Sequence, residues 1–266
     1  MSSLSKPSLA ILGSGPTGLE AALAAVEAGI PFTVYEAAAY VAGHIRSWGH
    51  VHLFTPWSMN VSPRMRRHLE AAGLPVPDGD TCPSGRELVE QLLAPLAALP
   101  EVAPHVRLNS RVVAVAREGL LKHEEISTPT RAARPFRLLI ADGQGQERVA
   151  FAERVIDASG SYSHPNRLGD GGIPALGEIA LASEIRRDIP DFTREAADWG
   201  GKTTLLVGGG HSAQTAAREL AQLAKTASNT RVVWALRGQV HTCETSNCDP
   251  LPERGKLART AAAFAN

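Results

Sequence analysis

The chain has 266 residues, 44% hydrophobic and 20% charged, with 27 basic side chains against 27 acidic ones. Those proportions belong to a folded globular protein, not a disordered, fibrous or membrane-spanning one, and zero formal net charge removes the general case for nucleic acid or an anionic membrane as partner. Three cysteines are too few for a disulfide framework, which points to a reducing, cytoplasmic setting.

Leu9–Leu12 is a short apolar run that meets glycine at once. It is too short for a secretion signal or a membrane span and reads as a buried parallel strand entering a loop. Gly13-Ser14-Gly15-Pro16-Thr17-Gly18 follows as G-x-G-x-x-G, then an alanine-rich helix over residues 19–28, stopped by Gly29 and Pro31. Phe32–Tyr35 is a second strand, with Glu36 at its end. In such a unit the first glycine allows the tight turn, the second lets a pyrophosphate approach the backbone, and the third lets helix and strand pack closely. Pro16, Thr17 and Gly18 complete the loop before the helix whose N-terminus faces the phosphates, and Glu36 is placed to accept from a ribose hydroxyl. The alternatives are a tight structural turn or another adenosine ligand such as S-adenosylmethionine.

Residues 85–99 carry apolar side chains at Leu88, Leu92 and Leu96, with Val89 and Leu93 beside them, and predict an amphipathic helix despite Pro95. Short strands are expected at 106–108 and 111–115. Residues 118–151 turn polar, with strand candidates at 136–140 and 148–151, and read as a small antiparallel meander. Residues 154–156 return to the parallel sheet. Residues 166–200 read as a connection with one short helix near 181–187.

A second unit begins at residues 202–207, a strand ending in Gly208-Gly209-Gly210-His211-Ser212-Ala213, or G-x-G-x-x-A. A helix over 214–225 and a strand over 231–236 follow, and Arg237 stands where Glu36 stood in the first unit. An acid there favours a free 2′-hydroxyl, whereas an arginine can pair with a 2′-phosphate, so the second unit reads as a site for NADPH. A solvated strand-end charge is the other reading of Arg237.

Two ordered dinucleotide units resemble the flavoproteins with two dinucleotide-binding domains, a group that includes the pyridine-nucleotide disulfide reductases and the flavin-containing monooxygenases. Asp157-Ala158-Ser159-Gly160 with Pro165 resembles the A-T-G-x-x-x-x-P stretch where those chains cross from the FAD domain to the NADPH domain, with Ser159 in place of threonine. Val112 starts the strand that in the family gives backbone contacts to the FAD adenine. Residues 43–48, with Arg46 and Trp48, and residues 54–57 match the segment that lies against the flavin ring. The resemblance implies FAD on the first unit, NADPH on the second, and electrons passed to oxygen or a small acceptor. The family's monooxygenase fingerprint F-x-G-x-x-x-H has no match in residues 161–207. A non-catalytic or truncated dinucleotide-binding module, or one part of a split flavoenzyme, is the rival reading.

The expected fold is α/β: a Rossmann-like FAD-binding domain over 1–165 with the β insert at 118–151, the connection at 166–200, and a second, incomplete Rossmann-like NAD(P)-binding unit over 201–266. A sheet left short of strands makes a homo-oligomer or a missing C-terminal partner segment plausible. Cys243 and Cys248 form C-x4-C after the second motif, so they read as loop cysteines sooner than a redox pair facing flavin. His44, His50 and His52 lack an intervening carboxylate or thiolate and read as polar contacts or surface groups, not a metal site. No residue type here singles out a catalytic acid, base or nucleophile, as expected where a cofactor carries the chemistry.

Overall fold

Leu9, Ala10, Ile11 and Leu12 are all buried, because their strand has protein on both faces. A computed structural model describes residues 8–237 and 251–264. Its residues fall into two units, Met1–Gly49 with Pro56–Ser163 and His50–Thr55 with His164–Asn266.

In the first unit, β1 (Leu9–Leu12) leads into α1 (Pro16–Ala28) and β2 (Phe32–Tyr35). Gly29, left-handed at φ 61°, closes α1 by donating to the carbonyls of Ala25 and Val26. Short helices α2 (Gly43–Ser47) and α3 (Trp57–Asn60) precede α4 (Pro63–Ala71), which packs on α1. The predicted amphipathic helix is present as α5 (Gly85–Leu88), a π turn (Val89–Leu93) and α6 (Ala94–Ala97), and it buries all five apolar positions. Pro95 explains the π turn: it offers no N–H and crowds the carbonyl four residues back, so the turn before it widens and Ala94 bonds to Val89.

β3 (Val106–Arg107) joins the edge of the sheet, β4 (Arg111–Arg117) leaves it, and α7 (Pro129–Ala133), β5 (Phe136–Ala141), β6 (Glu147–Ala152) and β7 (Arg154–Asp157) follow. The parallel sheet has the order β3-β2-β1-β7, and β4-β5-β6 is a separate antiparallel sheet. The meander is therefore wider than the sequence suggests, since β4 is its first strand. Alternation along β1 sets the layers: Ala10 and Leu12 meet Leu138, Ile140 and Ala152 of the meander, while a Cβ on Gly18 of α1 would lie 3.6 Å from the Ile11 side chain. Leu19 and Leu23 of α1 have no exposed surface, each contributing about 1.5–3 kcal/mol of hydrophobic stabilisation.

The second unit holds α8 (Ala196–Trp199), β8 (Thr203–Val207), α9 (His211–Thr226), β9 (Arg231–Ala235) and α10 (Pro252–Phe264). β8 and β9 pair in parallel across the α9 crossover. Phe192, Ala216, Leu220 and Leu223 form its core with Trp199, Leu206 and Val232, and α10 covers α9 with Leu257, Ala258 and Ala261 buried. The helix expected near 181–187 is only a 3₁₀ turn, Ala182–Glu184. Leu181 and Ile179 are exposed, so this segment has no apolar face to bury, and so short a helix is marginal without one. Burial pushes Glu178 upward, but the backbone N–H groups of Ala175 and Leu168 and the Arg187 guanidinium outweigh it, leaving its carboxyl below the usual range. No described helix is long and apolar enough to cross a membrane.

Candidate functional site

The first glycine loop is held by the strands beneath it. Gly13 N–H donates to the Tyr35 carbonyl at 2.8 Å and Ala158 N–H to the Leu12 carbonyl at 2.9 Å, so β2, β1 and β7 present one carboxyl edge. Gly13 sits at φ +100°, where a side chain is strained, and a Cβ there would lie 2.7 Å from the Ala158 carbonyl oxygen. A Cβ on Gly18 would lie 2.0 Å from the Gly13 carbonyl oxygen. At Gly15 a Cβ would meet nothing within 4 Å. Two glycines are thus needed by the protein itself, and the third faces open space, the cradle a diphosphate requires. No side chain caps Gly15, the N-cap of α1, and among the described residues none accepts from the N–H of Thr17 or Gly18. Those N–H groups and the positive end of α1 fit an anion.

Glu36 is 7% exposed and does more than face a ligand. Its Oε2 accepts from the N–H of Ser14 at 3.0 Å and from the Ser14 hydroxyl, while Oε1 accepts from Ala38 N–H at 3.0 Å. The Ser14 hydroxyl in turn accepts from Ala42 N–H at 2.9 Å. A carboxylate has about four acceptor positions, so one on Oε1 remains for a ribose hydroxyl. Gly43 keeps that side clear: a Cβ there would stand 3.3 Å from Oε1.

At the end of β7, Asp157 accepts from the N–H and hydroxyl of Ser159 at 3.0 and 2.6 Å, which holds its carboxyl below the usual range. Ala158 backs Gly13, and Gly160 turns the chain at φ +74°. Val112 lies in β4 opposite Ile140, half-buried against the meander core. Arg46 is engaged locally, its Nε donating to the Val41 carbonyl at 3.1 Å and its guanidinium lying 5.5 Å from the Tyr40 ring centroid. Trp48 packs across Gly85, where a Cβ would lie 2.6 Å from its ring, and its buried Nε1 has no partner among the described residues. Tyr162, which sequence reasoning missed, stacks with both His44 and Trp48 at centroid distances of 5.6 and 5.9 Å.

The second loop repeats the frame. Gly208 sits at φ +111°, its N–H donating to the Ala235 carbonyl at 3.0 Å, and a Cβ on Gly208 or Gly210 would meet nothing within 4 Å. Gly210 caps α9 without any side-chain bond. His211 and Ser212 open the helix, and the His211 ring meets Phe54 edge-on at 5.3 Å. Ala213 takes the place that Gly18 has in the first unit, and Arg237 is exposed just beyond β9. Sequence reasoning missed Trp234 and Gln214, whose side chains donate to the Gly208 and Gly209 carbonyls at 2.7 and 3.2 Å. A partial signal existed for Gln214: helix side chains lean toward the N-terminus, so an amide one turn in reaches back to the loop.

His50 bonds through Nε2 to the Ile189 carbonyl at 3.0 Å, and no group of three metal-ligating side chains occurs among the described residues. Cys243 and Cys248 lie outside the described residues.

A sequence model of the pyridine nucleotide-disulphide oxidoreductases matches residues 7–244. The chain belongs to that family. Solved structures share the fold. A bacillithiol disulfide reductase, Bdr (YpdA), from Bacillus cereus superposes with a TM-score of 0.61 at 20% identity, covering 96% of this chain and 65% of that one. A structure of OTEMO in complex with FAD and NADP gives 0.56 at 18% identity, covering 87% and 39%. A flavin monooxygenase from Stenotrophomonas maltophilia gives 0.51 at 20% identity, covering 88% and 59%. The family member described here thus spans less than two thirds of each of those chains. A search of curated proteins returned no match.

Proposed function

We propose that this family member is an FAD-dependent oxidoreductase that takes hydride from NADPH and passes electrons to oxygen or a small acceptor in the cytoplasm. The observation that carries the reading is the pair of open glycine cradles, one flanked by a buried acid and one by an exposed arginine. FAD fits the first: Gly15 and the N–H groups of Thr17 and Gly18 meet its diphosphate, and the last acceptor position of Glu36 meets its ribose. NADPH fits the second, where Gly208 and Gly210 leave room for a diphosphate and Arg237 supplies a charge-assisted bond to a 2′-phosphate. The flavin supplies two-electron chemistry, and the protein supplies binding, orientation and exclusion of water. The OTEMO structure in complex with FAD and NADP supports the pairing.

Binding without turnover is the second reading. Parallel sheets are normally covered on both faces, yet Leu205, Val207 and Val233 of β8 and β9 are exposed. The visible spectrum of the purified protein, taken before and after anaerobic NADPH, separates the two. A flavin band that bleaches supports the oxidoreductase; one that persists supports the binding module; folded protein that takes up no added FAD contradicts both.

A further inference from the structure

We infer that Trp234 and Gln214 are positioning residues that turn the second glycine loop toward a pyridine-nucleotide diphosphate; this rests on the proposed NADPH site. Three consecutive carbonyls of that loop are occupied. Gly208 accepts from Trp234 Nε1 at 2.7 Å, Gly209 from Gln214 Nε2 at 3.2 Å, and Gly210 from the N–H of Gln214. The N–H groups on the other side of the same three peptides are not: among the described residues none accepts from Gly209, Gly210 or His211, nor from Ser212 or Ala213 that follow. A peptide plane held by its carbonyl presents its N–H on the opposite side, so two side chains from β9 and α9 fix which face of the loop is the donor face.

Gln214 shows why an amide stands there. Its side chain is buried and its Oε1 has no partner among the described residues, an arrangement a leucine of similar size avoids. Reversing the amide would set an oxygen against the Gly209 carbonyl, so the orientation is fixed and only the donor half explains the residue. The first loop achieves its orientation differently, through the N–H and hydroxyl of Ser14 on Glu36, and among the described residues no side chain donates to one of its carbonyls. The pair in the second loop does the work of that buried acid, which leaves the strand-end position free for the exposed Arg237.

The test is calorimetric titration of the flavin-loaded protein and of two variants, Trp234→Phe and Gln214→Leu, with NADP⁺ and separately with 2′-AMP. The second probe carries the adenosine and 2′-phosphate without a diphosphate. Each variant should bind NADP⁺ about tenfold more weakly, the loss expected when an ordered donor face is released. Binding of 2′-AMP and FAD content should stay as in the parent protein. Parent-like NADP⁺ binding by both variants, or equal losses for NADP⁺ and 2′-AMP, would overturn the inference. Should Trp234→Phe fail to fold, Gln214→Leu alone decides. A parent protein that binds neither NADP⁺ nor NAD⁺ removes the proposed site, and the inference with it, before any substitution is made.

Discussion

The charged residue beside the first glycine loop is turned inward, and the one beside the second is turned outward. Glu36 is 7% exposed and spends three hydrogen bonds on Ser14 and Ala38, whereas Arg237 stands exposed past β9. Each choice follows from charge. A carboxylate can accept several backbone N–H bonds and so be buried as a hub, while a guanidinium only donates and stays in solvent unless acceptors are buried with it. The second loop, lacking an acid, is held by neutral donors, Trp234 and Gln214. The same strand-turn-helix frame is therefore held in two ways, by a buried acid in the first unit and by neutral side-chain donors in the second, and the proposed assignment of two nucleotides builds on that difference.

The largest effect is expected where the two loops differ in helix packing. Gly18→Ala puts a Cβ 2.0 Å from the Gly13 carbonyl oxygen, so it should destabilise the first unit by about 3 kcal/mol and release FAD. The mirror change, Ala213→Gly, removes a methyl group from a helix that already accepts it and should cost only about 1 kcal/mol. Denaturant midpoints check both; a loss of only about 1 kcal/mol for Gly18→Ala would mean that the first helix has the same room against its strand as the second.

Arg237→Glu comes next. A bond to a charged group contributes about 1.5–3 kcal/mol, so NADPH affinity should fall about 10- to 100-fold while NADH changes by about twofold or less. Equal losses for the two nucleotides would return Arg237 to the status of a solvated strand-end charge.

The smallest effect concerns how the first helix is braced. Arg64 and Arg67 of α4 hydrogen-bond Glu27 of α1 and hold its carboxyl down to about 2, while Arg64 also reaches Glu20. A carboxyl lowered on folding stabilises fully above its ordinary value of 4.5 and loses that contribution as the pH falls toward 2. Glu27→Gln should therefore have a slightly lower Tm than the parent at pH 7, with the gap closing between about pH 5 and 2. A gap that is constant or widens on acidification would show that the ion pairs do not couple α1 to α4.

What the sequence reveals here is what short-range chemistry decides. Gly13 and Gly208 mark turns by their positive φ, Gly18 meets a carbonyl five residues back, and the apolar spacing of residues 85–99 survives the π turn before Pro95. α7 is not expected within the polar stretch of residues 118–151; there Thr128 accepts from the N–H of Arg131 and Pro129 opens the helix. The helix expected near 181–187 needed tertiary cover that Leu181 does not receive. The groups that hold each loop were illegible for a different reason. Ser14 meets Glu36 across 22 positions and Trp234 meets Gly208 across 26, so both depend on strand register, which one sequence does not disclose.

The central claim is that two cradles bind two different nucleotides, and a crossed pair of variants tests it most directly. Gly15 and Gly210 both have open space where a side chain would go and φ near −74° and −73°, so valine is accepted at either without backbone strain. FAD and NADP⁺ would each be titrated into Gly15→Val and Gly210→Val. Gly15→Val should lose FAD and keep NADP⁺, and Gly210→Val should do the reverse. A single variant that loses both ligands, or a parent protein in which the two compete for one site, would contradict the assignment.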